Sequence, residues 1–105
     1  MKEIGYIKYG FHKKTGYITN LNVNENVRGT GVGTELLKMT ESNLKHFYKV
    51  EEIKLCAWNS TYDNTSNLRF FERNGYKMDG NHTYYEDGLD VYEITGFVKK
   101  LHTLK

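Results

Sequence analysis

The stretch NVRGTGVGTELLKM, residues 26–39, joins a glycine-rich turn to an apolar helical pattern and decides the fold of this chain. Gly29, Gly31 and Gly33 stand at every second position, and Arg28 comes directly before them. Glycine weakens a regular helix by roughly 1 kcal/mol relative to alanine. Three glycines at the predicted start of a helix therefore indicate a turn in which the main chain itself, rather than side chains, has a structural or binding role.

The sequence on either side of this turn predicts a strand, a helix and a second strand. Residues 17–24, YITNLNVN, alternate as a half-buried strand does, with odd-numbered side chains on one face and even-numbered ones on the other. Residues 51–58, EEIKLCAW, form another short apolar run, and we expect a parallel crossover between the two strands. The apolar residues between them recur at helical spacing: Val32, Leu36, Leu37, Thr40, Leu44 and Phe47.

Two predicted hairpins complete the chain. Residues 2–9 and the strand before the glycine turn flank a polar connector at residues 10–16, and alternating runs surround the Asp87–Gly88 pair. A short helix that ends at Gly75 lies between the hairpins. The order β-β-α-β-α-β-β predicts an α/β (α+β) fold, with two helices packed on one mixed, mostly antiparallel sheet. We expect residues 1–105 to form a single domain.

Composition and charge argue against several classes of protein. Fifteen Lys and Arg against thirteen Asp and Glu give a net charge of +2, which is too slight to indicate a nucleic-acid partner. Without a leader pattern or a long apolar run, we expect no membrane span and a cytoplasmic location. The single cysteine, Cys56, excludes an internal disulfide, and no spacing of His, Cys and Asp indicates a zinc site.

The glycine turn has the properties of an anion-binding cradle. A Gly-rich turn that enters a helix presents several free backbone N–H groups at the positive end of the helix dipole. Thr30 and Thr34 add hydroxyl donors, and Arg28 adds a charged fork that suits a pyrophosphate. The alternative is that the glycines serve the backbone alone, by reaching positive φ. Other phosphate loops do not match, because the P-loop lysine is missing and Thr34 stands where G-x-G-x-x-G needs glycine.

These residues resemble the GCN5-related N-acetyltransferase (GNAT) superfamily. Arg28, Gly31 and Gly33 match its R/Q-x-x-G-x-G/A segment, and NTSNLRFFERNGYK, residues 64–77, is similar to its N-x-x-A-x-x-F-Y-E-K-x-G-F segment. With the strand between them, the match covers residues 17–77. The resemblance implies transfer of an acetyl group from acetyl-CoA to a primary amine of a small molecule or peptide.

The resemblance also implies where the coenzyme lies. It places acetyl-CoA between the strands at residues 17–24 and 51–58, with the pantetheine arm paired to backbone and the pyrophosphate on the amides of the glycine turn. The residues implied in coenzyme binding are Leu21, Val23, Arg28, Gly29, Thr30, Gly31, Val32, Gly33, Thr34 and Asn64.

The chain departs from the family pattern at its catalytic positions. Phe71 stands where the family has the Tyr that protonates the leaving thiolate, and Asn67 replaces an alanine. From the resemblance, we expect the first strand and helices of the family, which often form part of the acceptor site, to have no counterpart in this sequence. Tyr62 is the nearest substitute acid and Glu25 the nearest base, against the alternatives of a packing tyrosine and a solvated loop charge.

Other side chains are weaker catalytic candidates. Tyr76 is a further candidate acid, and His82 or Glu86 a further base, brought over by the last hairpin. We expect Cys56 to be a buried structural thiol rather than an acetylated nucleophile. Trp58 either lines the acceptor pocket or caps the core.

Two other functions stay open from the sequence. One is a CoA-binding module without catalysis that acts as a sensor or assembly partner, which Phe71 favours. The other is an interaction protein whose exposed first strand pairs with a second chain. A homodimer is compatible with all three hypotheses and would help to complete the acceptor site.

Overall fold

The computed structural model describes residues 5–23, 29–60 and 68–101. Its five strands lie in one sheet in the order β1-β2-β3-β5-β4, which with the two helices confirms the predicted mixed α/β class and element order. The elements are β1 Gly5–His12, β2 Thr15–Val23, α1 Val32–Tyr48, β3 Glu52–Ser60, α2 Leu68–Arg73, β4 Lys77–Asp87 and β5 Asp90–Lys100.

The described chain divides into two compact units. The first contains the residues up to Ile53 together with Lys100 and Leu101, and the second runs from Lys54 to Lys99. A single domain over the whole sequence stays a prediction.

The first unit begins with the hairpin of β1 and β2. Its register pairs His12 with Thr15, so that only Lys13 and Lys14 form the turn, with Lys13 at φ 56°. The predicted polar connector at residues 10–16 is therefore wrong. Aromatic and threonine side chains suit a strand, and here they extend the pairing almost to the turn.

A β-bulge interrupts the pairing of β1 with β2. Lys8 pairs with Asn20, whereas Tyr9 pairs with Ile18, which leaves Thr19 as an extra residue on β2. The Thr19 hydroxyl donates a hydrogen bond to the Lys8 carbonyl oxygen at 3.2 Å. A bulged strand bends at this point, and the face that each later side chain occupies changes.

The bulge corrects the predicted alternation of β2. Gly16 and Ile18 are buried before it, whereas Leu21 and Val23 are half-buried after it. The inward positions thus change from even to odd numbers at the bulge. A strict period of two predicts Leu21 and Val23 on the inward face but misplaces Ile18 on the opposite one.

Helix α1 packs on β1 and β2 through a narrow buried stripe. Leu37, Thr40 and Leu44 are buried, as the helical spacing predicted, but Phe47 is 76% exposed, so its place in the stripe was wrong. The reason is that the helix ends one residue later, at Tyr48. Lys49 turns the chain away at φ 57°, and Val50, only 1% exposed, continues the core instead.

The second unit has its own apolar core. Leu55 and Ala57 on β3 are buried. Phe71 on α2 is 7% exposed, and its ring centroid lies 6.1 Å from that of Tyr76 and 5.7 Å from that of Phe97. The core of this unit is therefore built around aromatic rings.

Cys56 is exposed, which contradicts the expectation of a buried thiol. It lies between the buried residues Leu55 and Ala57, and successive strand residues point to opposite faces. The burial preference of cysteine as a residue type gave the wrong answer because the strand period decides its side.

Gly75 ends α2, as predicted. It adopts φ 90°, its N–H donates to the Glu72 carbonyl oxygen at 3.1 Å, and the Tyr76 N–H donates to the Phe71 carbonyl oxygen at 3.0 Å. These two bonds form a Schellman motif, which satisfies the last carbonyl groups of the helix. The motif also holds Tyr76 and Phe71 close together.

The hairpin of β4 and β5 is confirmed, but its turn is shifted by one residue from the Asp87–Gly88 pair. Asp87 pairs with Asp90, so Gly88 and Leu89 form the turn, with Gly88 at φ 62°. Strand β4 begins at Lys77. A second irregularity lies between Met78 and His82.

Candidate functional site

The glycine turn has a backbone that requires glycine. Gly29 and Gly31 adopt φ 83° and φ 90°, in the left-handed region that other residues rarely occupy. Gly29 and Gly31 therefore serve the backbone, and their part in binding an anion stays a prediction. Gly33, by contrast, lies within the first turn of α1 and has no such role.

The start of α1 presents main-chain donors. Gly31 is the N-cap residue, and no side chain caps it by a hydrogen bond. The first intrahelical bond runs from the Glu35 N–H to the Gly31 carbonyl oxygen at 3.0 Å. The N–H groups of Val32, Gly33 and Thr34 precede that bond, so they have no acceptor within the helix. The dipole of the 17-residue helix adds a partial positive charge at the same point.

The space beside the glycine turn is open. A Cβ atom built on Gly29 or Gly31 would have no described heavy atom within 4 Å, apart from the adjacent residues. Thr30 is exposed between them, and Thr34 is half-buried in the first helical turn. Among the described residues, nothing therefore fills the space next to these two glycines.

The end of β2 is held by its pairing with β1. Leu21 lies opposite Ile7 and Val23 opposite Gly5. A Cβ atom on Gly5 would come within 2.6 Å of the Asn22 carbonyl oxygen, so the two strands approach closely here. The main chain at Leu21 and Val23 is consequently fixed in position just before the glycine turn.

Four of the predicted site residues lie outside the described residues. They are Glu25 and Arg28 before the glycine turn, and Tyr62 and Asn64 before α2. Their roles stay predictions.

Tyr76 is a packing residue rather than an exposed acid. It is 2% exposed, and the Lys99 ammonium nitrogen lies 5.5 Å from the centroid of its ring. The same ammonium donates to the Asn74 carbonyl oxygen at 2.8 Å, just beyond the end of α2. The ring of Tyr76 thus contributes to the fold of the second unit.

His82, a predicted candidate base, contacts a carboxylate on the last hairpin. Its Nε2 atom lies 2.7 Å from Oε1 of Glu93, and both side chains are about two-fifths exposed. The other candidate, Glu86, is exposed on β4. The carboxylate of Glu93 holds the imidazole ring in place on the surface of the hairpin.

Trp58 belongs to an exposed aromatic cluster that the sequence pattern did not reveal. It is 51% exposed, and its ring centroid lies 5.8 Å from that of Tyr85 and 6.0 Å from that of Tyr92. The negative charge of Asp90 raises the pKa of Tyr92 above its ordinary value of 10.0, and desolvation, a hydrogen bond to Asp90 and the charge of Asp87 act in the same direction. The cluster therefore places rings and carboxylates side by side.

A polar depression of about 480 Å³ lies beside the turn that joins β1 to β2, at the opposite end of β2 from the glycine turn. Lys14 and Glu51 form an ion pair at 3.2 Å, and the Thr15 hydroxyl donates to Glu52 Oε1 at 3.3 Å. Its charged groups thus bind one another. It is lined by Lys14, Thr15, Glu51, Glu52, Lys100 and Leu101.

The described ranges contain no group of three or more His, Cys, Asp and Glu residues that could hold a metal ion. Neither α1 nor α2 has the length and apolar character needed to cross a membrane.

Comparison with known proteins gives consistent results for the sequence and for the structure. An uncharacterised N-acetyltransferase of Methanocaldococcus jannaschii is 33% identical over 89 residues, which are 84% of this chain and 55% of that protein. The crystal structure of an acetyltransferase from Bacillus cereus superposes with a TM-score of 0.71 at 24% identity, covering 93% of this chain and 64% of that one. The chain thus spans little more than half the length of the curated relative.

A third protein shows the same fold. A GNAT family acetyltransferase from Elizabethkingia anophelis, solved with acetyl-CoA bound, superposes with a TM-score of 0.71 at 18% identity over 95% of this chain and 70% of its own. The sequence model of the acetyltransferase (GNAT) family matches residues 3–76, from the first strand to the end of the second helix. This match spans well over half of the sequence, and the chain belongs to the GNAT acetyltransferase family.

Proposed function

We propose that this protein is an acetyl-CoA-dependent N-acetyltransferase whose acceptor is a primary amine of a small molecule or peptide. The observation that carries the proposal is the start of α1, where no side chain caps the helix and open space surrounds Gly29 and Gly31. Family membership and the acetyl-CoA bound to the Elizabethkingia anophelis relative support it.

The glycine turn would bind the pyrophosphate of the coenzyme. The N–H groups of Val32, Gly33 and Thr34 can donate to its oxygens, and the helix dipole favours its negative charge. Arg28 would add a charged donor. Side chains at Gly29 and Gly31 would point into the open space, so glycine at these positions serves the backbone and the ligand together.

The end of β2 would orient the reacting group. Bound acetyl-CoA supplies an acetyl group activated as a thioester. A backbone N–H near Leu21 or Val23 could donate to the thioester carbonyl oxygen and stabilise the charge that develops there. Because β1 holds this main chain in place, the donor needs little reorganisation, and orientation alone can lower the barrier by several kcal/mol.

The proton for the departing sulfur cannot come from Phe71. Its ring has no acidic group and is packed among the aromatic rings of the second unit. An ordinary thiol has a pKa of about 8.5, so its thiolate is a moderate leaving group and a weak acid suffices. Tyr62 would supply this proton, and Glu25 would accept the one from the amine.

A CoA-binding module without catalysis is the second candidate function, favoured by the buried Phe71. It requires the same glycine turn but no acid or base. The two functions differ in turnover alone.

The decisive binding test is the thermal stability of the protein with and without CoA. A ligand present at 100 times its Kd stabilises the folded state by about 2.7 kcal/mol, which raises the melting temperature measurably. We expect this rise in the unsubstituted protein. It should be lost in Gly33→Glu, because the new carboxylate would lie among the backbone N–H groups at the start of α1. Glutamate near a helix N-terminus is itself stabilising, so the variant should fold.

Gly10→Glu is the matched control. Gly10 lies on β1 without a positive φ, and a Cβ atom built on it would have no described heavy atom within 4 Å apart from the adjacent residues. It receives the same bulky carboxylate, and its response to CoA should be unchanged. Equal melting temperatures with and without saturating CoA in the original protein would refute both candidate functions.

Turnover separates the two functions. CoA release from acetyl-CoA should be followed with polyamines, amino acids and lysine peptides as acceptors. Turnover with at least one amine identifies the enzyme. Stabilisation by CoA with no turnover above buffer for any acceptor would instead identify the binding module.

A further inference from the structure

The aromatic cluster on the last hairpin forms an exposed face of the second unit. We call it the hairpin face and define it by Trp58, Tyr85 and Tyr92, together with Asp87 and Asp90. The Trp58 ring is inclined by 59° to Tyr85 and by 58° to Tyr92, so the three rings enclose a corner rather than a flat stack. Both Trp58 and Tyr85 are 51% exposed, which leaves their rings open to a ligand.

The strand register brings carboxylates to the same face. Tyr85 pairs with Tyr92, and two residues nearer the turn Asp87 pairs with Asp90. Residues two apart on a strand share a face, and they are separated by about 7 Å along it. The charge of Asp90 raises the pKa of Tyr92, as expected for a carboxylate two residues away on the same face of the strand.

The hairpin is acidic although the whole chain is slightly basic. The chain carries a net charge of +2, but no Lys or Arg occurs from residue 78 to residue 98. The acidic residues of that segment are Asp79, Glu86, Asp87, Asp90 and Glu93. A ligand of the hairpin face therefore meets negative charge and the electron-rich faces of aromatic rings, and both attract cations.

We propose that the hairpin face binds an aliphatic diamine, with one ammonium group in the corner of the three rings and the other between Asp87 and Asp90. The separation of about 7 Å between the two pairs of residues matches a short chain of methylene groups. Those methylene groups would lie along the exposed ring of Tyr85. The inference does not rest on acetyl transfer, although a diamine does carry the primary amine that the proposed reaction requires.

Trp58 allows binding to be measured directly, because it is the only tryptophan of the chain. We would titrate the protein, without CoA, with 1,4-diaminobutane and follow the tryptophan fluorescence. We expect a saturable change, a response at least tenfold weaker with n-butylamine, and none with 1,4-butanediol. Raising the salt concentration should weaken the diamine response, because the partners are exposed charges.

Two variants locate the site while Trp58 is kept as the reporter. The double substitution Asp87→Asn with Asp90→Asn should weaken diamine binding at least tenfold at an unchanged melting temperature. The matched control is Tyr48→Ala. Tyr48 stacks on Phe11 at 4.4 Å between ring centroids, in the first unit. Lys49 directly follows Tyr48, and Lys13 lies two residues after Phe11. This control should leave binding unaltered.

Several outcomes would overturn the proposal. They are a missing saturable response to 1,4-diaminobutane, an equal response to 1,4-butanediol, and full binding by the double Asp variant. Tighter binding of a lysine peptide than of the diamine would assign the face to a peptide. A fluorescence change on raising protein concentration alone would assign it to a second copy of the chain. Gly33→Glu should still bind the diamine. A failure of the proposed coenzyme site can therefore be told apart from a failure of the proposed diamine site.

Discussion

The turn before α1 and the hairpin face would recognise their proposed ligands by opposite means. At the turn, Gly29 and Gly31 offer no side chains, and the helix start presents main-chain N–H groups at its positive end. At the hairpin, Tyr85 and Tyr92 form a cross-strand pair, and aromatic rings and carboxylates form the surface. One favours anions and the other favours cations.

This difference predicts different responses to substitution. At the glycine turn, any added side chain should weaken stability or ligand binding, because both the backbone conformation and the space beside it depend on glycine. At the hairpin face, outside Gly88 with its φ of 62°, the proposed contacts come from side chains, so the loss of a ring or a charge should matter most.

Phe71→Tyr should have the largest effect on stability and tests whether side chains also serve the acetyl transfer. The position is 7% exposed among aromatic rings, so a hydroxyl placed there lacks water. We expect a loss of about 2 kcal/mol in the free energy of unfolding, measured in urea, and no gain in turnover.

Phe70→Tyr is the matched control for this substitution. Phe70 is half-buried in the same helix, 5.3 Å from Phe71 between ring centroids, so its new hydroxyl can reach water and the loss should be small. Faster CoA release by Phe71→Tyr at unchanged stability would show that this side chain faces the reacting atoms. The contrast between a main-chain site and a side-chain site would then no longer hold.

Gly31→Ala should have an intermediate effect and tests the backbone requirement at the turn. Alanine meets no described atom there but must adopt φ 90°, which costs about 1 kcal/mol in the free energy of unfolding. Gly31→Asn should lose less, since asparagine tolerates the left-handed region. Gly10→Ala, at a glycine without positive φ, should lose nothing. Equal losses for alanine at both positions would show that the turn has no special conformation.

The sequence predicted the glycine turn well because its pattern is local. Gly31 and Gly33 lie within a few residues of the helix start, and helical spacing after them shows where the helix begins. The opposite holds for long-range features. Nothing in the alternation of β2 shows that Thr19 is an extra residue, because a bulge is visible only against the partner strand.

The hairpin face was missed because of a one-residue error in the turn. A turn centred on Asp87–Gly88 would place Tyr85 opposite Asp90, whereas the observed turn places it opposite Tyr92. Shifting a two-residue turn by one position changes every cross-strand pair by two residues. The aspartate–glycine signal identified the hairpin but not its register, and Trp58 comes from another strand altogether.

Asp90→Asn should have the smallest effect and tests the electrostatics of the hairpin face alone. The charge of Asp90 raises the pKa of Tyr92, so the neutral phenol is favoured in the folded protein. That contribution to stability is complete below the ordinary pKa of 10.0 and is lost as the pH rises through the raised value. In Asp90→Asn the pKa of Tyr92 should fall, and the loss of stability at alkaline pH should become less steep.

The measurement is the tyrosinate absorbance as a function of pH, taken as the difference between each protein and its Tyr92→Phe counterpart. Glu51→Gln is the matched control, because it removes a carboxylate from the first unit, where its partner is Lys14. It should leave the titration of Tyr92 unchanged. Equal shifts for both substitutions would mean that net charge, rather than the neighbouring Asp90, governs the phenol. The hairpin would then lack the local negative field that distinguishes it from the glycine turn.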